Sequence, residues 1–155
     1  MVAASLTIAA VAAGPALTAA PSLAAGSLPT LTIAISPKTV TVGGSQVEGA
    51  VKIVTTVTGE KSDEPALLLL RPGITPADSD KAVSAFHSST PGDAIDPYAS
   101  IVFDEPASEG TPASGETWLR PGTYVAAGNG SAETTFTVAP SAAPALLPAP
   151  PRPST

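Results

Sequence analysis

From Leu31 onward, apolar side chains recur at every second position. Leu31, Ile33 and Ile35 alternate with Thr32 and Ala34 and stop at Ser36-Pro37. Thr39-Val40-Thr41-Val42 resumes the alternation up to the Gly43-Gly44 turn. In Gly49–Thr58, Val51, Ile53, Thr55 and Val57 share one face. Successive side chains leave a strand on opposite faces, so this period predicts half-buried strands. The charged stretch Gly59–Glu64 closes the third of them. Ala66–Leu70, behind Pro65, is apolar without a break. Such a run predicts a strand buried on both faces.

The period then changes once. Thr75 stands where a helix cap belongs, Pro76 suits the first helical position, and Asp78 follows three residues after the cap. Ala82, Val83 and Phe86 fall on one face, and Ser88-Ser89-Thr90-Pro91 ends the segment. This predicts a short amphipathic helix over residues 75–88, its Phe86 and Val83 pointing into the sandwich. Beyond an acidic loop, Ala99–Phe103, Glu116–Leu119, Thr123–Ala127 and Thr134–Val138 read as further strands, with Pro121-Gly122 as a turn. About eight short strands and one helix predict an all-β sandwich.

The two ends differ from this middle. Residues 1–37 carry no charge, and Ala3 to Ala25 form an Ala-rich apolar stretch. Ser22-Leu23-Ala24 and Leu23-Ala24-Ala25 put small residues where signal peptidase cuts, so residues 1–25 read as a signal peptide. No Lys or Arg precedes the apolar run, which implies a leader that starts upstream of Met1. Pro15 and Pro21 weigh against an uncleaved membrane helix of about 20 residues, so no stable membrane insertion is expected after cleavage. Residues 140–155 hold six of the 18 prolines and predict a disordered or extended Pro/Ala-rich tail. The β-sandwich domain is left with residues 28–139.

Composition narrows the partners. Seven basic residues against 13 acidic ones give a net charge of -6. The cations, Lys38, Lys52, Lys61, Arg71, Lys81, Arg120 and Arg152, are scattered singly, which argues against nucleic acid and anionic membranes as partners. The absence of cysteine excludes disulfides, thiol catalysis, Cys-based zinc sites and a lipidated cysteine. The Ala/Pro/Thr-rich character fits a high-GC bacterial genome.

Candidate chemistry is sparse. His87, the single histidine, sits at the predicted end of the helix, where a capping role on the surface suits it. No Gly-x-Ser-x-Gly elbow exists to partner it, and a His-based metal site lacks a second His. Asp93, Asp96, Asp104, Glu105, Glu109 and Glu116 form an acidic belt without the spacing of a calcium loop. The pair Asp104/Glu116 has the residue types of glycosidase chemistry, yet a solvated belt is the expectation. Trp118 and Tyr124 flank the Pro121-Gly122 turn; they are expected in the core before any sugar-stacking platform. Asn129-Gly130-Ser131 matches the glycosylation sequon, a match of little meaning in a bacterium. No catalytic, cofactor-binding or metal-binding residue is assigned, and no enzyme activity is expected.

Two segments together resemble secreted cupredoxin-like domains of the plastocyanin and azurin kind. One is the apolar strand running into Leu70-Arg71-Pro72-Gly73-Ile74-Thr75-Pro76-Ala77-Asp78 and the helix. The other is Leu119-Arg120-Pro121-Gly122-Thr123-Tyr124, whose Pro-Gly-Thr-Tyr opens the penultimate strand of that family. The order of elements agrees over residues 30–138. The resemblance implies a cupredoxin-like Greek-key β-sandwich with one inserted helix. It also implies a type 1 copper site of two His, a Cys and an axial Met, whose places here hold Asp63-Glu64, Gly128 and the Asn129-Gly130-Ser131 loop. The expectation is therefore a copper-free domain: an exported, non-enzymatic binding or structural module of the cell envelope. Its partner would be an unidentified protein or cell-wall component. The alternative is an immunoglobulin-like adhesion or carbohydrate-binding module.

Overall fold

The computed structural model describes residues 27–88, 91–130 and 132–149. The expected signal peptide, 1–25, lies outside them. Ten strands follow in chain order: β1 (Thr30–Ser36), β2 (Thr39–Gly44), β3 (Gly49–Val57), β4 (Ser62–Asp63), β5 (Ala66–Leu70), β6 (Ala99–Phe103), β7 (Ala107–Ser108), β8 (Ala113–Leu119), β9 (Gly122–Ala127) and β10 (Glu133–Val138). Helices α1 (Ser79–Phe86) and α2 (Pro91–Ile95) lie between β5 and β6, and a 3-10 turn, Pro76–Asp78, leads into α1.

The strands form two four-stranded sheets, ordered β2-β1-β3-β8 and β10-β9-β5-β6, with β4 and β7 paired as a separate ribbon. β1 runs parallel to β3 because the β2 hairpin carries the chain back before β3 begins. β5 leads into the helical segment, and the Pro-Gly-Thr-Tyr turn opens β9, the next-to-last strand. The domain is a β-sandwich with its helices inserted between β5 and β6.

The alternating residues fill the space between the sheets. Leu31, Ile33, Ile35, Val40, Val51, Ile53 and Leu119 from one sheet meet Leu67, Phe103, Tyr124, Ala126 and Val138 from the other. Each large aliphatic side chain so buried contributes about 1.5–3 kcal/mol.

The helix sits elsewhere than expected. Ala82, Val83 and Phe86 do not point into the sandwich; they pack on the outer face of the second sheet, against Ala66, Leu68, Leu70, Val125 and Ala127. This makes a third layer, and it explains the unbroken apolar run of β5: Leu67 faces the first sheet while Leu68 and Leu70 face the helix. The acidic loop after α1 also differs from expectation, since α2 forms within it and buries Ile95 in the same outer cluster.

The tail departs from its reading too. Over its described part it is held beside the start of β3 instead of hanging free. Ala139 donates its N–H to Gln46 O (3.0 Å), and Glu48 and Ala50 donate to Ala139 O (2.8 Å) and Ala145 O (2.7 Å). Ser141 N–H reaches the Glu48 carboxylate at 3.2 Å. Proline lacks an N–H, yet the carbonyls and non-proline amides suffice for these isolated bridges. Gly49 has φ +130°, and a Cβ there would stand 2.7 Å from Ala145 N; glycine is what lets the tail approach.

One buried polar group stands out. The Thr55 hydroxyl, on the inward face of β3, is fully buried and has no hydrogen-bond partner. An orphaned hydroxyl costs about 1–3 kcal/mol, whereas a methyl group of the same shape costs nothing there. Thr55→Val is therefore expected to raise stability by about 1 kcal/mol, read as a higher urea midpoint at unchanged slope. A lower midpoint would mean that the hydroxyl has a partner after all.

Candidate functional site

One end of the sandwich is built by the β4–β7 ribbon, the turn after β9 and the C-terminal end of α1. Asp63, in β4, is only 3% exposed. Its Oδ1 accepts the Asn129 N–H at 2.7 Å. A Cβ on residue 128 would lie 2.7 Å from Asp63 Oδ2 and 3.0 Å from Oδ1, so only a glycine leaves room for the carboxylate. From the other side, His87 Nε2 lies 3.1 Å from Gly128 O. A carbonyl only accepts, so Nε2 carries the proton in this bond. The ring also meets Phe86 edge-on, with centroids 5.2 Å apart at 71°. Asp63 and His87 thus hold the Gly128-Asn129 turn between them.

Three of the positions implied by the resemblance, Asp63, Gly128 and Asn129, do come together; Glu64 remains exposed outside them. They do not fit a type 1 copper ion. The volume a ligand side chain at 128 would use is taken by the Asp63 carboxylate. The one imidazole is engaged with a backbone carbonyl, and no residue there can supply a thiolate. Sequence reasoning named Asp63 and Glu64 together but could not tell which is buried, because nothing in the spacing distinguishes Asp63 from the exposed acid next to it. His87 is where the sequence put it, as the C-cap residue of α1, but its ring binds a different loop.

Beside this clasp an open cleft of about 530 Å³ is lined by Asp80, Val83, Ser84, His87, Asn129, Gly130 and Glu133. Of its two carboxylates, Asp80 and Glu133, Glu133 is already engaged, accepting from the buried Ser79 hydroxyl. Nearby, Asp78 receives Lys81 Nζ at 2.6 Å and the Thr75 hydroxyl at 2.7 Å. The lysine bond first, then the hydroxyl, holds the Asp78 carboxyl below its ordinary value, and the same pair raises that of Lys81.

The acidic belt does not converge. Asp96 accepts from Arg71 at 3.5 Å, Glu109 accepts the Gly59 N–H at 3.3 Å, and Glu116 stands opposite Lys52 across β3 and β8. Asp93 belongs to α2, and Asp104 and Glu105 are exposed after β6. Among the described residues no three His, Asp or Glu side chains gather as metal ligands would.

A second cleft, of about 350 Å³, opens at the side of the sandwich between β6 and β8. Leu69, Ser100, Ile101, Val102, Thr117, Trp118, Arg120 and Tyr124 line it. The two aromatics part ways here. Tyr124 is fully buried, stacks on Phe136 (5.4 Å, 22°), and exchanges two bonds of 2.9 Å with the Arg120 backbone. Trp118 is half-buried on the cleft wall, and Ile101 is 40% exposed.

No protein-family model and no curated protein matches the chain. Among solved structures it is similar to dithionite-reduced auracyanin from the photosynthetic bacterium Roseiflexus castenholzii. That similarity has 17% identity and a TM-score of 0.45, covering 74% of this chain and all of the other.

Proposed function

We propose that this domain is an exported, non-enzymatic binding module of the cell envelope that works through the cleft between β6 and β8. The observation that carries the reading is the contrast between the two ends of its chemistry. The place a metal centre would take is filled by the Asp63–Gly128–His87 clasp. The side cleft, by contrast, keeps a half-buried Trp118 and an exposed Ile101 facing outward. Tryptophan on the wall of a partly open cleft is the residue type that anchors partners. Export is supported by the apolar stretch and its small-residue end at Ala24 and Ala25. No helix of the described residues is long and apolar enough to cross a membrane.

Trp118 favours one second reading, the adhesion or carbohydrate-binding module, in which the indole stacks on a sugar ring. The test of the first reading joins address to surface. Protein recovered from envelope fractions should begin after Ala24 or Ala25 by mass spectrometry. Trp118→Ala should fold normally yet lose retention on isolated envelope material. An intact Met1 species confined to the cytoplasm, or undiminished retention of Trp118→Ala, would overturn it.

A further inference from the structure

The edges of the two sheets are unequal. On one side of the sandwich β2 and β10 pack against each other. On the other, β6 and β8 each have a partner on one flank only among the described residues. β6 is blunted, because its register with β5 shifts between Leu67 and Leu68; such a bulge interrupts regular pairing and is a common protection of edge strands. β8 has no such protection. Its seven residues pair with β3 in unbroken register from Ala113 to Leu119, without proline and with one charge, Glu116. Its free backbone faces the 350 Å³ gap that Leu69, Ile101, Val102 and Trp118 line.

Resting on the reading of this domain as a binding module, the geometry points to an extended peptide with a carboxylate near one end. This peptide adds to β8 as a fifth strand of the first sheet. Strand addition pairs the free N–H and C=O groups of β8, and alternate apolar side chains of the peptide enter the gap between the sheets. Arg120, directly after β8, is the one charged residue lining the cleft. It has no carboxylate within salt-bridge distance among the described residues, so the complementary group is negative. A second copy of this chain suits the edge poorly. Glu116 is the middle residue of β8, and antiparallel pairing of two copies centred there sets like charges opposite each other, which is destabilising.

Trp118 is the single tryptophan, so its emission reports on the cleft. The probe is a peptide of alternating Thr and Val ending in Asp, acetylated at its N-terminus and amidated at its C-terminus so that the Asp side chain is its one carboxylate. It should shift Trp118 emission saturably; the same peptide ending in Lys, or carrying a central Pro, should bind at least about tenfold more weakly. Arg120→Gln should weaken the Asp peptide by about the same factor and leave the Lys peptide unchanged, while the Arg120 backbone still serves Tyr124. Equal binding of the Asp and Lys peptides, no binding up to millimolar concentration, or dimerisation of the free domain by sedimentation would each overturn the inference. An emission shift with oligogalacturonate but none with the peptides would overturn the inference while preserving the binding-module reading.

Discussion

Phe86→Ala is expected to destabilise the domain by about 3–5 kcal/mol, the cost of deleting a buried aromatic ring. Phe86 is 9% exposed and joins Val83 and Ala82 of α1 to Leu68, Leu70, Val125 and Ala127 of the second sheet. The core between the sheets does not include it, so the loss falls on the outer layer alone. Far-UV signals of the strands should persist to higher denaturant than the contacts of α1. Lys81→Ala, on the exposed face of the same helix, should leave the denaturant midpoint essentially unchanged. A Phe86→Ala protein as stable as wild type would mean that α1 rests on the sheet without being held by it.

The second large effect concerns Tyr124. Its ring fills the core and its hydroxyl both donates to Arg120 O and accepts Arg120 N–H, each at 2.9 Å. Tyr124→Ala should cost about 3–5 kcal/mol through the lost ring. Tyr124→Phe should cost about 1–3 kcal/mol through the unpaired backbone groups alone. Burial raises the pKa of Tyr124 above the ordinary 10.0, outweighing the opposing Arg120 backbone bond and charge. A raised value means that the folded state holds the proton more tightly than the unfolded chain. This contribution is complete below about pH 10 and is lost as the pH climbs through the folded value. Urea midpoints should fall above about pH 10 in wild type and less steeply in Tyr124→Phe; equal slopes would remove Tyr124 as the cause.

Much of this architecture is written in local pattern. Leu31, Ile33 and Ile35 must share a face because a strand alternates, and the unbroken Ala66–Leu70 run requires cover on both sides. What supplies that cover is not local. Whether Phe86 faces between the sheets or outside them depends on which way the chain turns after Gly73, and an amphipathic helix reads the same either way. Thr75 illustrates a similar limit. Its type and position suit a cap, but its hydroxyl donates to Asp78 Oδ2 instead of accepting a helix N–H, since a nearby carboxylate is the stronger acceptor.

The candidate site was legible in part. The places of Asp63, Gly128 and Asn129 were implied by the family resemblance, and the lack of a thiol followed from composition. Their mutual hydrogen bonding did not, because Asp63 and Asn129 are 66 residues apart and meet only once both sheets exist. Trp118 and Tyr124 flank the same turn, yet only Tyr124 is fully enclosed. The difference lies in the pleat: on β8 the inward place goes to Leu119, so Trp118 beside it points away from the core, whereas Tyr124 takes an inward place on β9.

The docked tail has a topological consequence. Lys52 N–H is bonded to Pro29 O at 2.9 Å, and Ala50 N–H to Ala145 O at 2.7 Å. The segment entering β1 and the segment leaving β10 therefore occupy successive places along one flank of β3, end to end. The backbone path through the domain is nearly a closed ring with its seam beside β3. A ring has no privileged starting point. The same sheets could be wound from a chain rejoined across that seam and opened at an exposed turn such as Gly59–Lys61, with every strand keeping its neighbours.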